Sequence, residues 1–185
     1  RDVRLEQLSV EDRKAVAALP AADLAKGVVH EDRGMEGGPG DARRWTVDAA
    51  AGAATLTYQF IPGAHFESCF VRLPADAARS RLAVLEVDGD GQGNSLFVIV
   101  HDASGEQHLA AVCPVAWTGW QEVGVILTRF FETPAKMQRF ADRWGGDGNQ
   151  RLDFPIKAVD IGVAKRGSRV DDTGRIRIRN IQFLE

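Results

Sequence analysis

Apolar residues in this chain fall in short runs broken by small polar residues, most regularly between positions 82 and 120. Leu-Ala-Val-Leu-Glu-Val (82–87) is followed by Asp-Gly-Asp-Gly-Gln-Gly-Asn-Ser (88–95) and Leu-Phe-Val-Ile-Val (96–100). His-Asp-Ala-Ser-Gly (101–105), Gln-His-Leu-Ala-Ala-Val-Cys (107–113) and Trp-Thr-Gly-Trp (117–120) come next. Such β-rich runs, separated by Gly, Asp, Asn and Ser, predict antiparallel strands of a sandwich or barrel. Residues 55–60 alternate, which puts Leu56, Tyr58 and Phe60 on one face. Residues 68–72, 121–128, 157–163 and 175–183 bring the total to about eight strands.

The last of these strands breaks its own alternation. Ile176 and Ile178 share one parity, and Ile181 and Phe183 share the other. A regular strand would turn one pair toward water. A bulge near Arg179-Asn180 returns both pairs to the core, because one extra residue resets the alternation. Arg175, Arg177 and Arg179 then point outward as a solvated strand face.

Two segments carry a helical pattern instead. Ser-Val-Glu-Asp (9–12) resembles a capping box, residues 13–19 favour helix, and Pro20 stops them. Residues 1–27 are therefore expected to form a helical lead-in or linker, and residues 28–185 the β-sandwich domain. Later, Thr133 and Pro134 suit a helix start. Met137, Phe140, Ala141 and Trp144 then fall at helical spacing, and Gly145-Gly146 ends the run. This predicts one short inserted helix in a connection longer than a hairpin needs, the kind of insertion that is often functional.

With 185 residues and 44% apolar content the chain can bury one good core. Its net charge of −3 implies no broad pull toward nucleic acid or anionic membrane. No apolar run approaches the roughly 20 residues of a membrane helix. Cys69 and Cys113 sit among apolar neighbours in strand-like segments. They read as two buried thiols, or else as one disulfide joining two strands in an oxidising compartment. The four histidines, His30, His65, His101 and His108, show no zinc-site spacing. No nucleophile elbow or phosphate loop is present, and the carboxylates give no pairing by sequence, so the chain is expected to be non-catalytic.

The run V-x-G-D-G-x-G-N-x-L-x-V-x-V-x-D-x-x-G (87–105), the W-T-G-W that follows and the closing G-R-I-R-I-R-N-I-Q-F (174–183) resemble carbohydrate-binding modules of the galactose-binding-like jelly-roll class. W-G-G-D-G-N (144–149), followed by F-P-I (154–156), is similar to modules attached to bacterial polysaccharide-degrading enzymes. The resemblance covers roughly residues 30–185. It implies an all-β antiparallel jelly roll that binds a glycan or polysaccharide without catalysis. It also implies a catalytic domain in the same full-length chain, in an extracellular or periplasmic setting. Modules of this class often hold a structural calcium near the chain ends, where Glu31, Asp32 and Asn180 would supply part of the site. Arg179 places a positive charge beside it.

Sugar binding needs flat apolar faces and planar polar side chains. Trp144, beside the small residues of Gly145-Gly146-Asp147-Gly148-Asn149, is the best aromatic candidate, with Asp147 and Asn149 as its polar partners. Its helical stripe offers the competing role of anchoring the inserted helix. Tyr58 fits either the core or the edge of a ligand site. Trp117 is placed at the turn surface, and Trp120 and Trp45 in the core. His101, beside Asp102 at a strand end, is within reach of a hydroxyl. Two other classes stay open: a structural or protein-interaction sandwich without a sugar site, and a small jelly-roll lyase or hydrolase.

Overall fold

Alternation becomes pairing in a computed structural model that describes residues 14–32, 37–39, 41–60, 65–127, 143–166 and 172–184. The strands are β1 (Ala15–Ala18), β2 (Val28–Asp32), β3 (Gly37–Pro39), β4 (Trp45–Asp48), β5 (Ala53–Phe60), β6 (Phe66–Arg72) and β7 (Leu82–Asp90). They continue as β8 (Ser95–His101), β9 (Glu106–Pro114), β10 (Thr118–Ile126), β11 (Arg143–Gly145), β12 (Ala158–Ala164) and β13 (Asp172–Leu184). One helical turn, α1 (Ala21–Leu24), follows β1. A six-stranded sheet runs β10-β7-β13-β5-β4, with β1 also paired to β13. A seven-stranded sheet runs β11-β9-β8-β12-β6-β2-β3. The chain changes sheet from β1 to β2, β3 to β4, β5 to β6, β6 to β7, β7 to β8, β9 to β10, β10 to β11 and β12 to β13. This back-and-forth course, all antiparallel, is a jelly-roll sandwich: the strand pattern predicts a sandwich or barrel, and the resemblance implies the jelly roll.

The inner faces meet in one core. Leu56, Tyr58 and Phe60 of β5, Leu85 and Val87 of β7, and Ile176 and Ile178 of β13 face Cys69 and Val71 of β6, Val98 and Val100 of β8, and Val159 and Ile161 of β12. Burying a large aliphatic or aromatic side chain contributes about 1.5–3 kcal/mol, so these stripes drive the two sheets together. The bulge in β13 is present. Arg179 pairs with Glu86, and the register then shifts so that Gln182 pairs with Val84. Asn180 sits in the shift with φ 51°, and Ile181 and Phe183 are buried beside Ile176 and Ile178.

The helical lead-in is corrected within the described residues. Ala15–Ala18 forms strand β1, paired with the end of β13 from Gln182 to Leu184. Pairing of β13 with β5 stops at Arg179–Ala53, which leaves the later backbone groups of β13 without a neighbour on that side. β1 supplies one, and satisfying those groups outweighs the small helix preference of alanine. Leu19 and Leu24 then enter the core, and the Trp45 indole donates to the Leu24 carbonyl at 2.7 Å. The capping box at 9–12 and most of the helix expected over 133–144 lie outside the described residues. The last residue of that helix, Trp144, belongs to strand β11.

Both cysteines are free thiols. They lie on β6 and β9, with β12 and β8 between them in the sheet. Burial pushes both thiols above their ordinary range, with the nearby Asp160 charge adding to the effect at Cys69. No helix among the described residues is long and apolar enough to cross a membrane.

Candidate functional site

Residues directly opposite one another in antiparallel strands stand on the same face. In the seven-stranded sheet this aligns Trp144 with Gln107, Gln107 with His101, His101 with Ala158, and Ala158 with Arg72. The next row is Ile99, Asp160, Phe70 and Val28, and the one after it Phe97, Gly162, Ser68 and His30. Core residues occupy the opposite parity, so all three rows lie on the outer face. At strand spacings of about 4.8 Å the first row reaches ~19 Å from Trp144 to Arg72.

The middle of this face is a built polar cluster. The Asp160 side chain is only 4% exposed. His101 Nε2 lies 2.6 Å from its Oδ2, Ser68 Oγ donates to its Oδ1 at 3.3 Å, and His30 Nδ1 stands 3.6 Å from Oδ1. Burial pushes the Asp160 carboxyl up, but the contacts with His101 and His30 outweigh it and hold the group below the usual carboxylate range. In return the carboxylate raises His30 above the usual imidazole value, against a smaller opposing effect of burial. The Phe70 ring packs edge-on to His101 at 5.0 Å between centroids, and Phe66 edge-on to Phe97 at 5.9 Å. Gly162 is required where it stands, because a Cβ there would collide with the Phe97 ring and with Ser68.

A clasp behind the first row fixes Trp144. Asp102 Oδ1 accepts from the Ser104 amide and hydroxyl at 2.9 and 2.8 Å and from the Glu106 amide at 2.9 Å. Its Oδ2 accepts from the Asp153 amide at 3.1 Å. The Glu106 carboxylate accepts from the Gln150 amide. Together these tie the turn after β8 to the loop after β11. Gly146, with φ 54°, lies where a Cβ would strike the Glu106 backbone and Ser104. Burial pushes Asp102 up, and the donors around it outweigh that and hold it below its ordinary range. Among the described residues, Asp102, Glu106 and His108 are the one group with three potential metal ligands within 4.8 Å of one another. The donors named above already occupy lone pairs of both carboxylates, so the group is built as an internal clasp.

Of the predicted site residues, Trp144 is 38% exposed, and His101 stands in the same row two strands away. Asp147 and Asn149 are exposed in the adjoining loop, where the Asn149 amide donates to Asp147 at 2.7 Å and to Asp153 at 3.0 Å. Tyr58 is corrected as a stacking residue. Its ring is 1% exposed, and its hydroxyl donates to Asp90 at 2.5 Å and accepts from Asn94 at 3.2 Å. Trp117 is likewise corrected: it packs on the core, and its indole donates to the Val87 carbonyl at 3.2 Å. Trp120 is not core. It lies on the outer face of the other sheet beneath Arg179 and Arg177, at 4.0 and 5.2 Å from the ring centroid. Those arginines pair with Glu86 and Asp88, so that face is neutralised by its own charges, as a solvated strand face should be.

Glu31 and Asp32 fall on β2 of the seven-stranded sheet, and Asn180 on β13 of the other. The Asn180 amide donates to Glu86 at 3.0 Å. Sequence reasoning missed Asp160, Ser68, Gln107, Arg72 and the role of His30. One signal was available: an aspartate inside the otherwise apolar run Ala-Val-Asp-Ile-Gly-Val (158–163).

Solved structures that resemble this fold include two carbohydrate-binding modules. One is the family 11 carbohydrate-binding module of the cellulosomal cellulase Lic26A-Cel5E of Clostridium thermocellum, at 13% identity, covering 71% of this chain and 74% of that one, with a TM-score of 0.45. The other is a family 11 carbohydrate-binding module from Clostridium thermocellum in complex with a β-1,3-1,4-mixed-linked tetrasaccharide. It is 14% identical, covers 85% of this chain and 95% of that one, and has a TM-score of 0.47. No protein-family profile and no curated protein matches the chain.

Proposed function

We propose that this chain is a non-catalytic glycan-binding domain whose ligand lies across the strands on the outer face of the seven-stranded sheet. The observation that carries the reading is the row Trp144–Gln107–His101–Ala158–Arg72. It combines one exposed indole with amide, imidazole and guanidinium groups on a single face, with the buried Ala158 between His101 and Arg72. A pyranose ring presents apolar C–H faces and equatorial hydroxyls, which suit an aromatic platform flanked by planar polar groups. The ~19 Å row spans several sugar rings, and the Asp102 clasp preorganises its aromatic end. A shallow site displaces ordered water and buries little area, so affinity is modest.

In this reading the domain serves a larger secreted polysaccharide-degrading enzyme, outside the cytoplasm, by keeping its catalytic neighbour on the substrate. Affinity gel electrophoresis of the folded chain against a panel of soluble polysaccharides tests it. Retardation by at least one glycan, lost in Trp144→Ala with an unchanged circular dichroism spectrum, supports the reading. No retardation across the panel would leave a structural or protein-interaction sandwich, the role favoured by the burial of Tyr58 and the packing of half-buried Trp117 on the core.

A further inference from the structure

Past Arg72 the outer face opens into a cleft of about 500 Å³, lined by Arg72, Arg79 and Lys157 together with Ala75, Pro155 and Ile156. Three cations line it and no carboxylate does. All three side chains are exposed. Lys157 Nζ donates to the Ala103 carbonyl, which holds the ammonium in place and leaves its charge uncompensated. Among the described residues neither the Arg72 nor the Arg79 side chain has a hydrogen bond or ion pair. The acids nearest in sequence, Asp76, Asp153 and Asp160, do not line the cleft, and Asp160 is buried against His101. This contrasts with Arg177 and Arg179 on the opposite face, each held by its own carboxylate.

Cations gathered without a counter-charge raise the local potential and draw anions. A guanidinium presents a planar fork of donors that matches a carboxylate or another oxygen-rich anion. Arg72 also ends the row that begins at Trp144, so an anion in the cleft and a ring on the indole can belong to one linear molecule. We propose that the ligand is an acidic polysaccharide, with an anionic group of one sugar held by Arg72, Arg79 and Lys157 and a more distant ring stacked on Trp144. This rests on the glycan-binding reading and adds the ligand's charge class. Uronate carboxylates and sulfate esters share the required chemistry.

The test compares four polymers against the folded chain by affinity electrophoresis and titration calorimetry. Polygalacturonate and alginate carry carboxylates, a sulfated galactan carries sulfate, and carboxyl-reduced polygalacturonate is the neutral counterpart. At least one acidic polymer should bind about tenfold or more tightly than the neutral one, with added salt narrowing the gap. Arg72→Ala/Arg79→Ala should bring the acidic polymer down to the neutral level. Lys157→Gln should weaken it in the same direction. Whichever acidic polymer responds separates carboxylate from sulfate recognition. Equal binding of acidic and neutral polymers, unchanged in the arginine double variant but lost in Trp144→Ala, would overturn the charge class and leave the glycan reading standing. Binding of duplex DNA as tight as that of the acidic glycan would also overturn it, because the cleft would then read charge without sugar. If none of these polymers bound, the charge class would fall, and the glycan reading would be decided by the wider panel.

Discussion

Asp160 is the residue on which the outer face turns. A carboxylate buried on a strand is tolerated when it is paired and hydrogen-bonded, and His101, Ser68 and His30 meet that need from β8, β6 and β2. The charged form of His30 is favoured in the folded protein, since its value is raised. Its stabilising contribution is therefore complete below the unfolded imidazole value, about 6.5, and is lost as pH rises through the higher folded value. Asp160, held low, contributes above the ordinary carboxylate value, about 4, and fails only as pH falls through its depressed one. Both contributions are full between about pH 4 and 6.5. The gap in Tm between wild type and His30→Gln should be largest near pH 5 and shrink by pH 8 in thermal scans, whereas equal gaps at both would contradict the pairing. At this scale the sequence was a partial guide. Alternation places Tyr58 inward, but only the fold brings Asp90 and Asn94 to its hydroxyl. The Gly/Asp turn that holds them reads from sequence as plain surface. Trp144 was found from the small residues that follow it, and the helical stripe that offered it a competing role gives way to a strand. His101 was found from its position at a strand end.

Among the elements, β13 is the best specified by its own residues. Its parity break requires a bulge, and the register shift falls at the predicted step. Asn180 takes the left-handed conformation that the shift demands, with φ 51°, a region asparagine and glycine tolerate and β-branched residues resist. Asn180→Gly should change unfolding free energy by less than about 1 kcal/mol, while Asn180→Val should lower it by about 1–2 kcal/mol. Urea denaturation measures both, and a valine variant at wild-type stability would refute the account of the bulge. Between residues 82 and 126 the strands were legible because each apolar run is bounded by turn residues. β1, β2, β3 and β11 were not. They are short or lie among residues with helix or loop preferences, and pairing with an established strand, a long-range contact, decides them. β1 forms because the end of β13 lacks a partner beyond β5, which no local reading of Ala-Val-Ala-Ala can reveal.

The whole molecule presents two outer faces of different character. On the six-stranded sheet, Glu86, Asp88, Arg177, Arg179 and Trp120 satisfy one another. On the seven-stranded sheet an exposed indole, an amide, an imidazole and a cationic cleft share one row. The sandwich itself was readable from composition and alternation, but the choice of face was not. It depends on which strands become neighbours and on where the compensating charges fall. The measurement that tests this most directly is a two-dimensional amide NMR titration with whichever polysaccharide retards the chain in gels. Shifts centred on Gln107, His101, Ala158 and Arg72, with the Trp144 indole proton moving in the same titration, are the predicted result. Shifts centred on Trp120, Arg177 and Arg179, with the other face silent, would contradict the account.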